Sequence, residues 1–454
     1  MANHDCAPSF LLERQDVVLR SREQAADPAS VIKEGLSKAL SYYYPLAGKL
    51  KEDSDGKLKI NCNADADGVP FLVATANCEL SSLNYLDGIE VEVAKQFVFD
   101  LPSEDESGDH PLVLQVTKFS CGGFTIGMGL SHSVCDGVGA AQFFQALAEL
   151  SSGKGEPSVE PVWERERLVG TPGKESFQLP VDKAALATSP YLPAADLLHA
   201  QFYVSSEVIR RLKTSLLEEC GGIESSKETF TTLEVLGAYV WRSRFRALKL
   251  NSEGKTLFTV AMGIRNLLNP PLPNGYYGNA FVAAHVALTG GELNEAPLSK
   301  VAKLIKESKK IASTSDHITN TLCILERFRE QNIKMEASGA SMTLTDWRQL
   351  GLLEEVDFGW NDAVNILPLP WNMFGYVDLF FFLPPTKVDP SEKGGVRVLV
   401  CLPRAAMPKF EQEMNALKLG HEGAVPDKPE LFETGKSSEL VNSSNKDQQR
   451  KNNS

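Results

Sequence analysis

A chain of 454 residues is too long for one ordinary hydrophobic core, so two domains of roughly 200 residues each are expected. With 43% apolar and 23% charged residues it has the composition of a globular protein. Acidic residues outnumber basic ones 59 to 46, for a net charge of −13, which disfavours non-specific nucleic-acid binding.

The opening stretch, MANHDCAPSFLLERQDVVLR, carries charges where a signal peptide needs a continuous apolar run. ASVIKEGLSKALSYYYPLAGKL then places Val31, Ile32, Leu36 and Leu40 at helical spacing. Tyr-Tyr-Pro ends that helix, and KLKINCN reads as a strand. HPLVLQVTKFSCGGFTIGMGLSH holds two β-rich runs joined at Cys121-Gly122-Gly123, which predicts a hairpin. From Gly137 the period becomes helical, with Phe143, Leu147 and Leu150 on one face.

Residues 151–198 are rich in Pro, Gly and charge and suit a crossover between domains. Helix-like SSEVIRRLKTSLLEE and TFTTLEVLGAYVWRSRFRALKL follow, and then strand-like KTLFTVAMGI. The expected organisation is an N-terminal domain over 1–175, a linker over 176–198 and a C-terminal domain over 199–419. Residues 420–454 have too few apolar side chains to offset their ordering entropy and read as a disordered polar tail. MFGYVDLFFFLPP, broken by Asp378 and prolines, is far short of the roughly 20 residues needed to span a bilayer. Eight scattered cysteines show neither zinc-like spacing nor a dense disulfide framework, which fits a reducing compartment and a cytoplasmic location.

The stretch GLSHSVCDGVGAAQFF is the richest in chemistry, and four roles for His132 compete there. A metal site with His132 and Asp136 as ligands lacks a nearby His or Cys to complete the shell. A nucleophile elbow needs G-x-S-x-G, and neither Ser131 nor Ser133 has both glycines. A structural reading makes Asp136 a helix N-cap and His132 a satisfied side chain. The fourth makes His132 a general base at a strand end, since a neutral imidazole takes and returns a proton near pH 7. Local sequence leaves the last two open.

HSVCDG and DFGWN (Asp357 to Asn361) resemble the H-x-x-x-D-G and D-F-G-W-G signatures of the plant BAHD acyltransferases. YYYPLAGKL, NPPLPNGYYGN and TDWRQLGLLEEVDFGW agree with the same family, in order and at its spacing. The likeness runs from residue 29 to about 418. Within the family, VPFLVATANCELSSLNYL, PVWERERLVG, SPYLPA and LTDWRQLG look most like spermidine hydroxycinnamoyl transferases. A kinase reading of Asp-Phe-Gly fails for want of a Gly-rich loop and H-R-D.

The resemblance implies an α/β fold of two similar domains, each a mixed sheet flanked by helices, as in chloramphenicol acetyltransferase. A channel between them takes acyl-CoA from one side and the acceptor from the other. His132 is then the base, and Asp136 points away from the channel to pair with Arg265. Asp357 and Gly359 support the site. Thr345 and Trp347 lie beside the acyl group, where a hydroxyl and an indole N–H steady a developing oxyanion. Tyr277, Gly278, Asn279 and Trp360 fall on the CoA side, and Asp346 and Asp362 are the nominated contacts for the acceptor amine. The sequence departs from the family at Asn361, where the last glycine of the motif would stand. It also departs before the first helix, where residues 1–27 are too few to supply both an opening strand and a second strand for the acceptor side.

The implied activity is transfer of a hydroxycinnamoyl group from CoA to an amine of spermidine. No metal or cofactor is implied beyond the CoA thioester as co-substrate. The partners are that donor and a polyamine or alcohol, with no nucleic acid and no membrane, and the chain acting as a monomer. The alternatives are an O-acyltransferase acting on an alcohol and a catalytically silent relative.

Overall fold

The computed structural model describes residues 12–19, 27–54, 56–62, 68–99, 108–171, 182–194, 196–221, 228–331, 339–353, 356–360, 363–369 and 378–420. Asn361, Asp362 and the polar tail from 421 lie outside the described residues, as does most of the linker before 182.

The first half runs β1 (Leu12–Leu19), α1 (Pro28–Tyr42), β2 (Lys49–Glu52), β3 (Leu58–Asn61) and β4 (Phe71–Ala76). It continues through α2 (Val91–Ala94), β5 (Leu112–Phe119), β6 (Phe124–Ser131) and α3 (Gly137–Ser151). The expected helix is α1: Asp27 caps it by accepting from Ser30 N at 3.1 Å, and Pro28 sits in the first turn. Its inward face, Ile32, Leu36 and Ala39, is almost fully buried. The expected hairpin is β5 and β6, paired antiparallel.

The second half runs β7 (Leu197–Val204), α4 (Ser206–Glu219), α5 (Thr232–Ala247), β8 (Lys255–Gly263), β9 (Phe281–Thr289) and α6 (Gly290–Glu295). It continues through α7 (Leu298–Ala312), α8 (Ser315–Glu330), β10 (Ser341–Asp346), β11 (Ala363–Leu369), β12 (Asp378–Leu383), β13 (Val396–Pro403) and α9 (Met407–Leu419).

Two mixed sheets form the frame, in the orders β11-β1-β6-β5-β4 and β7-β13-β12-β10-β8-β9. The strict division at residue 199 is therefore corrected at one strand. β11 leaves the second half and pairs antiparallel with β1. The reason is that β6 fills only one side of β1, and β11 satisfies the backbone groups along the other. Among the described residues, the segment before the first helix supplies β1, inserted between β6 and β11.

Side-chain alternation along β12 then joins the halves. Leu379, Phe381 and Leu383 belong to the first core cluster, whereas Phe380 and Phe382 belong to the second, beneath α5 and α9. The first core thus extends across the junction. A groove of about 340 Å³ between α4, α5 and α9, lined in part by Arg211, Tyr239 and Glu413, shares no lining residue with the segments holding the two motifs.

Candidate active site

The site begins where β6 ends. Ser131 is the last strand residue, His132 opens a turn, and α3 starts at Gly137. Asp136 is the N-cap of α3, accepting from Gly139 N at 3.0 Å. It also holds the other half of the molecule. Arg265, just past β8, donates to both carboxylate oxygens at 2.7 and 2.9 Å, and Ala280 N adds a bond at 2.9 Å. Capping and ion pairing therefore coexist, and both carboxylate oxygens receive two donors apiece.

Arg265 continues outward, donating to the carbonyl of Gly278 at 2.7 Å. Next to it, the Asn279 side chain donates to the backbone carbonyl of His132 at 2.7 Å. So the turn that carries the imidazole is gripped from the second half at two points. His132 is partly exposed as a residue, and its ring meets Phe281 edge-on, 6.0 Å between centroids. Phe281 is the first residue of β9 and is 39% exposed, so His132 lies against an exposed strand start of the second half.

The remaining nominated residues fall into three groups. Trp347 is 5% exposed, edge-on to Phe381, and donates its backbone N–H to Phe382 O. Its indole nitrogen lies 3.9 Å from where a Cβ on Gly137 would sit, which sets it beside the His132 turn. Thr345 lies on β10 in register with Phe381.

The second group is internal. Tyr277 is 2% exposed and packs against Tyr43 and the Arg165 guanidinium, 5.0 and 4.8 Å away. Gly278 lies close under the arginine: a Cβ there would fall 1.8 Å from Arg165 Nη1 and would displace that side chain. Trp360 is 4% exposed and meets Phe124 of β6 edge-on, while Phe358 meets Phe144 of α3. Asp357 closes its own turn by accepting from Gly359 N at 2.7 Å, and Gly359 takes φ +89°, a conformation that suits glycine. The described contacts of Tyr277, Asn279 and Trp360, the residues nominated for the CoA side with Gly278, are with Tyr43, Arg165, the His132 carbonyl and Phe124.

The third group concerns the acceptor. Asp346 is held by Arg348 through bonds of 2.5 and 2.8 Å, so its charge is already answered within the same segment. Asp362 lies outside the described residues. Sequence reasoning missed Arg165, which stacks over Trp163, Tyr276 and Tyr277 at 4.2, 5.5 and 4.8 Å. It also missed the hold of Asn279 on the His132 carbonyl. Only the packing reveals either one. Among the described residues no group of three His, Cys, Asp or Glu side chains could hold a metal ion.

A two-lobed frame with an accessible histidine at a strand end, locked across the lobes by an Asp–Arg pair, defines the class. Residues 19–417 match the model of the transferase family. A spermidine coumaroyl-CoA acyltransferase of Arabidopsis thaliana is 46% identical over 399 residues, covering 86% of this chain and 85% of its own length. A spermidine sinapoyl-CoA acyltransferase of the same plant is 44% identical, covering 88% and 89%. The crystal structure of vinorine synthase superposes with a TM-score of 0.68 at 20% identity, covering 92% of this chain and 95% of that one. The chain belongs to this transferase family, the BAHD acyltransferases.

Proposed function

We propose that this protein transfers a hydroxycinnamoyl group from a coenzyme A thioester to an amine of spermidine. The observation that carries the chemistry is the position of His132, accessible at the lobe boundary with its carbonyl held by Asn279. The two Arabidopsis relatives named for spermidine and hydroxycinnamoyl-CoA donors support the choice of substrates. A solved protein of the same fold, F. sporotrichioides TRI101, is described as a complex with coenzyme A and T-2.

Polyamine nitrogens resemble lysine in basicity and are protonated near pH 7, so one must be bound or delivered without its extra proton. Its lone pair attacks the thioester carbonyl carbon, and His132 takes the N–H proton as the C–N bond forms. The tetrahedral intermediate collapses, the C–S bond breaks, and the thiolate leaves with the proton that the imidazolium returns. The products are an amide and free CoA thiol. In this reading the Trp347 indole, beside the His132 turn, steadies the developing oxyanion.

The test offers coumaroyl-, caffeoyl-, feruloyl- and acetyl-CoA with spermidine or a panel of small alcohols, and follows thiol release. Amide product supports the proposal, ester product replaces it with O-acylation, and absence of thiol release leaves a silent relative. His132→Ala is expected to lower kcat by about 10²–10⁴-fold without changing the melting temperature. A variant that keeps most of the wild-type kcat would remove His132 from the chemistry.

A further inference from the structure

Beyond Phe281, the second sheet continues as an ordered surface. On β9 the core-facing residues are Val282, Ala284 and Val286, so Phe281, Ala283 and His285 share the opposite face. On β8 the same argument puts Thr259 and Ala261 on that face, because Phe258 and Val260 are buried in the core. On β10 it puts Thr343 and Thr345 there, between buried Met342 and Leu344. Strand register then aligns them. Thr343 lies beside Thr259, and Thr259 lies opposite His285. Ala261 lies opposite Ala283.

The result is a graded floor. Phe281 and the His132 ring occupy one end. Two alanines, with little side chain to obstruct it, form the middle. A polar row of His285, Thr259 and Thr343 closes the far end. His285 Nδ1 lies 3.0 Å from Thr259 Oγ1. With the proton on Nδ1 donated to that hydroxyl, Nε2 is left as a hydrogen-bond acceptor. The His285 side chain remains accessible, yet the atoms crowding it push its pKa below the ordinary histidine value, and nearby His317 of α8 pushes the same way. A neutral ring there accepts an N–H without adding repulsion.

We propose that this face binds the acyl acceptor in an extended form, with His285 and Thr259 receiving its far nitrogen while His132 faces the near one. The lengths agree. Four residues of antiparallel strand from Phe281 to His285 span about 13 Å. An extended chain of ten carbon and nitrogen atoms, as in spermidine, spans about 11 Å between its terminal nitrogens. The methylene spacers then lie over Ala261 and Ala283. This inference rests on the spermidine acyltransferase reading and gives it a specificity-determining site. It also fills the role for which Asp346 was nominated, since that carboxylate is engaged by Arg348.

The test uses the full chain, coumaroyl-CoA, spermidine, and two spermidine analogues that each lack one terminal amino group. The wild type is expected to show a KM about tenfold higher for the analogue missing the far nitrogen. His285→Leu is expected to raise the spermidine KM about tenfold and erase that discrimination. The kcat and the KM for coumaroyl-CoA are expected to stay put, and His285→Gln to restore most of the discrimination. Thr259→Val reads the same site should His285→Leu lower the melting temperature. If the wild type acylates spermidine but both variants discriminate as it does, this inference is overturned and the function stands. If the wild type makes no amide from spermidine, both fall together.

Discussion

Among the described residues two Asp–Arg pairs join the halves, and they are built in opposite senses. In the first, the carboxylate of Asp136 is the buried member at 8% side-chain exposure, and Arg265 is more open at 18%. In the second, the guanidinium of Arg397 is buried at 1%, and Asp87 keeps 24%. Asp136 gathers two backbone N–H groups besides its arginine. Arg397 instead reaches the carbonyls of Pro384 and Ile366 besides its aspartate, and Gln201 also donates to Asp87. Burial pulls the Arg397 pKa down, and Asp87 opposes that shift. The difference teaches what each pair is for. One fixes the turn that carries His132, whereas the other fixes strand β13 against the first half.

Breaking the first pair should have the largest effect. Asp136→Asn keeps one oxygen but turns the other into an NH2 group facing Arg265 and one buried backbone N–H, and the expected loss is about 3–5 kcal/mol of stability. Because the same residue caps α3 directly after the His132 turn, kcat of the folded fraction should also fall, though by less than in His132→Ala. Denaturant unfolding with parallel thiol-release kinetics checks both. An unchanged midpoint with turnover abolished would instead give Asp136 a direct part in the chemistry.

The second pair predicts a cleaner separation. Asp87→Asn is expected to cost about 2–3 kcal/mol, less than the first because the aspartate is partly solvated. Turnover by the folded protein should match the wild type. A kcat loss comparable to that of Asp136→Asn would erase the distinction between the two junctions.

This contrast also marks how far the sequence could be read. The His132 turn was legible because histidine, cap and helix start lie within six consecutive residues. Arg265 was legible only through family likeness, since nothing local in MGIRNLLNPP says what it reaches. Asp87 and Arg397 stand in unremarkable segments, and only the packing of β13 brings them together. Periodicity gave α1, α3, α4, α5 and the β5–β6 hairpin, since each shows its own period. It could not show that β11 crosses to the first sheet, because period fixes the type of element and not its neighbour. Nor did it mark β1, where Glu13, Arg14, Gln15 and Asp16 in succession break any apolar alternation.

A smaller effect probes the second junction through pH. His199 on β7 has its pKa pushed down to about 4, first by burial and then by Lys95 from the first half. The unfolded chain binds the proton near pH 6.5, so between pH 6.5 and 4 the unfolded state holds more protons and stability falls as pH falls. Allowing for partial exposure, the loss across that window is roughly 2 kcal/mol. His199→Gln should flatten the stability curve there without altering it above pH 7. A variant with wild-type acid sensitivity would assign the slope to other groups.

The smallest effect belongs to a third Asp–Arg pair, Asp346 with Arg348, at 20% and 21% exposure. Its contacts are as short as those at Asp136, yet the partners sit two residues apart and join nothing distant. Short distance alone should therefore add little, and Asp346→Asn is expected to cost under about 1 kcal/mol. Since its charge already faces Arg348, the variant should also keep the wild-type KM for spermidine. A KM rise near that of His285→Leu would return Asp346 to the acceptor site and show that Arg348 yields its partner when substrate enters.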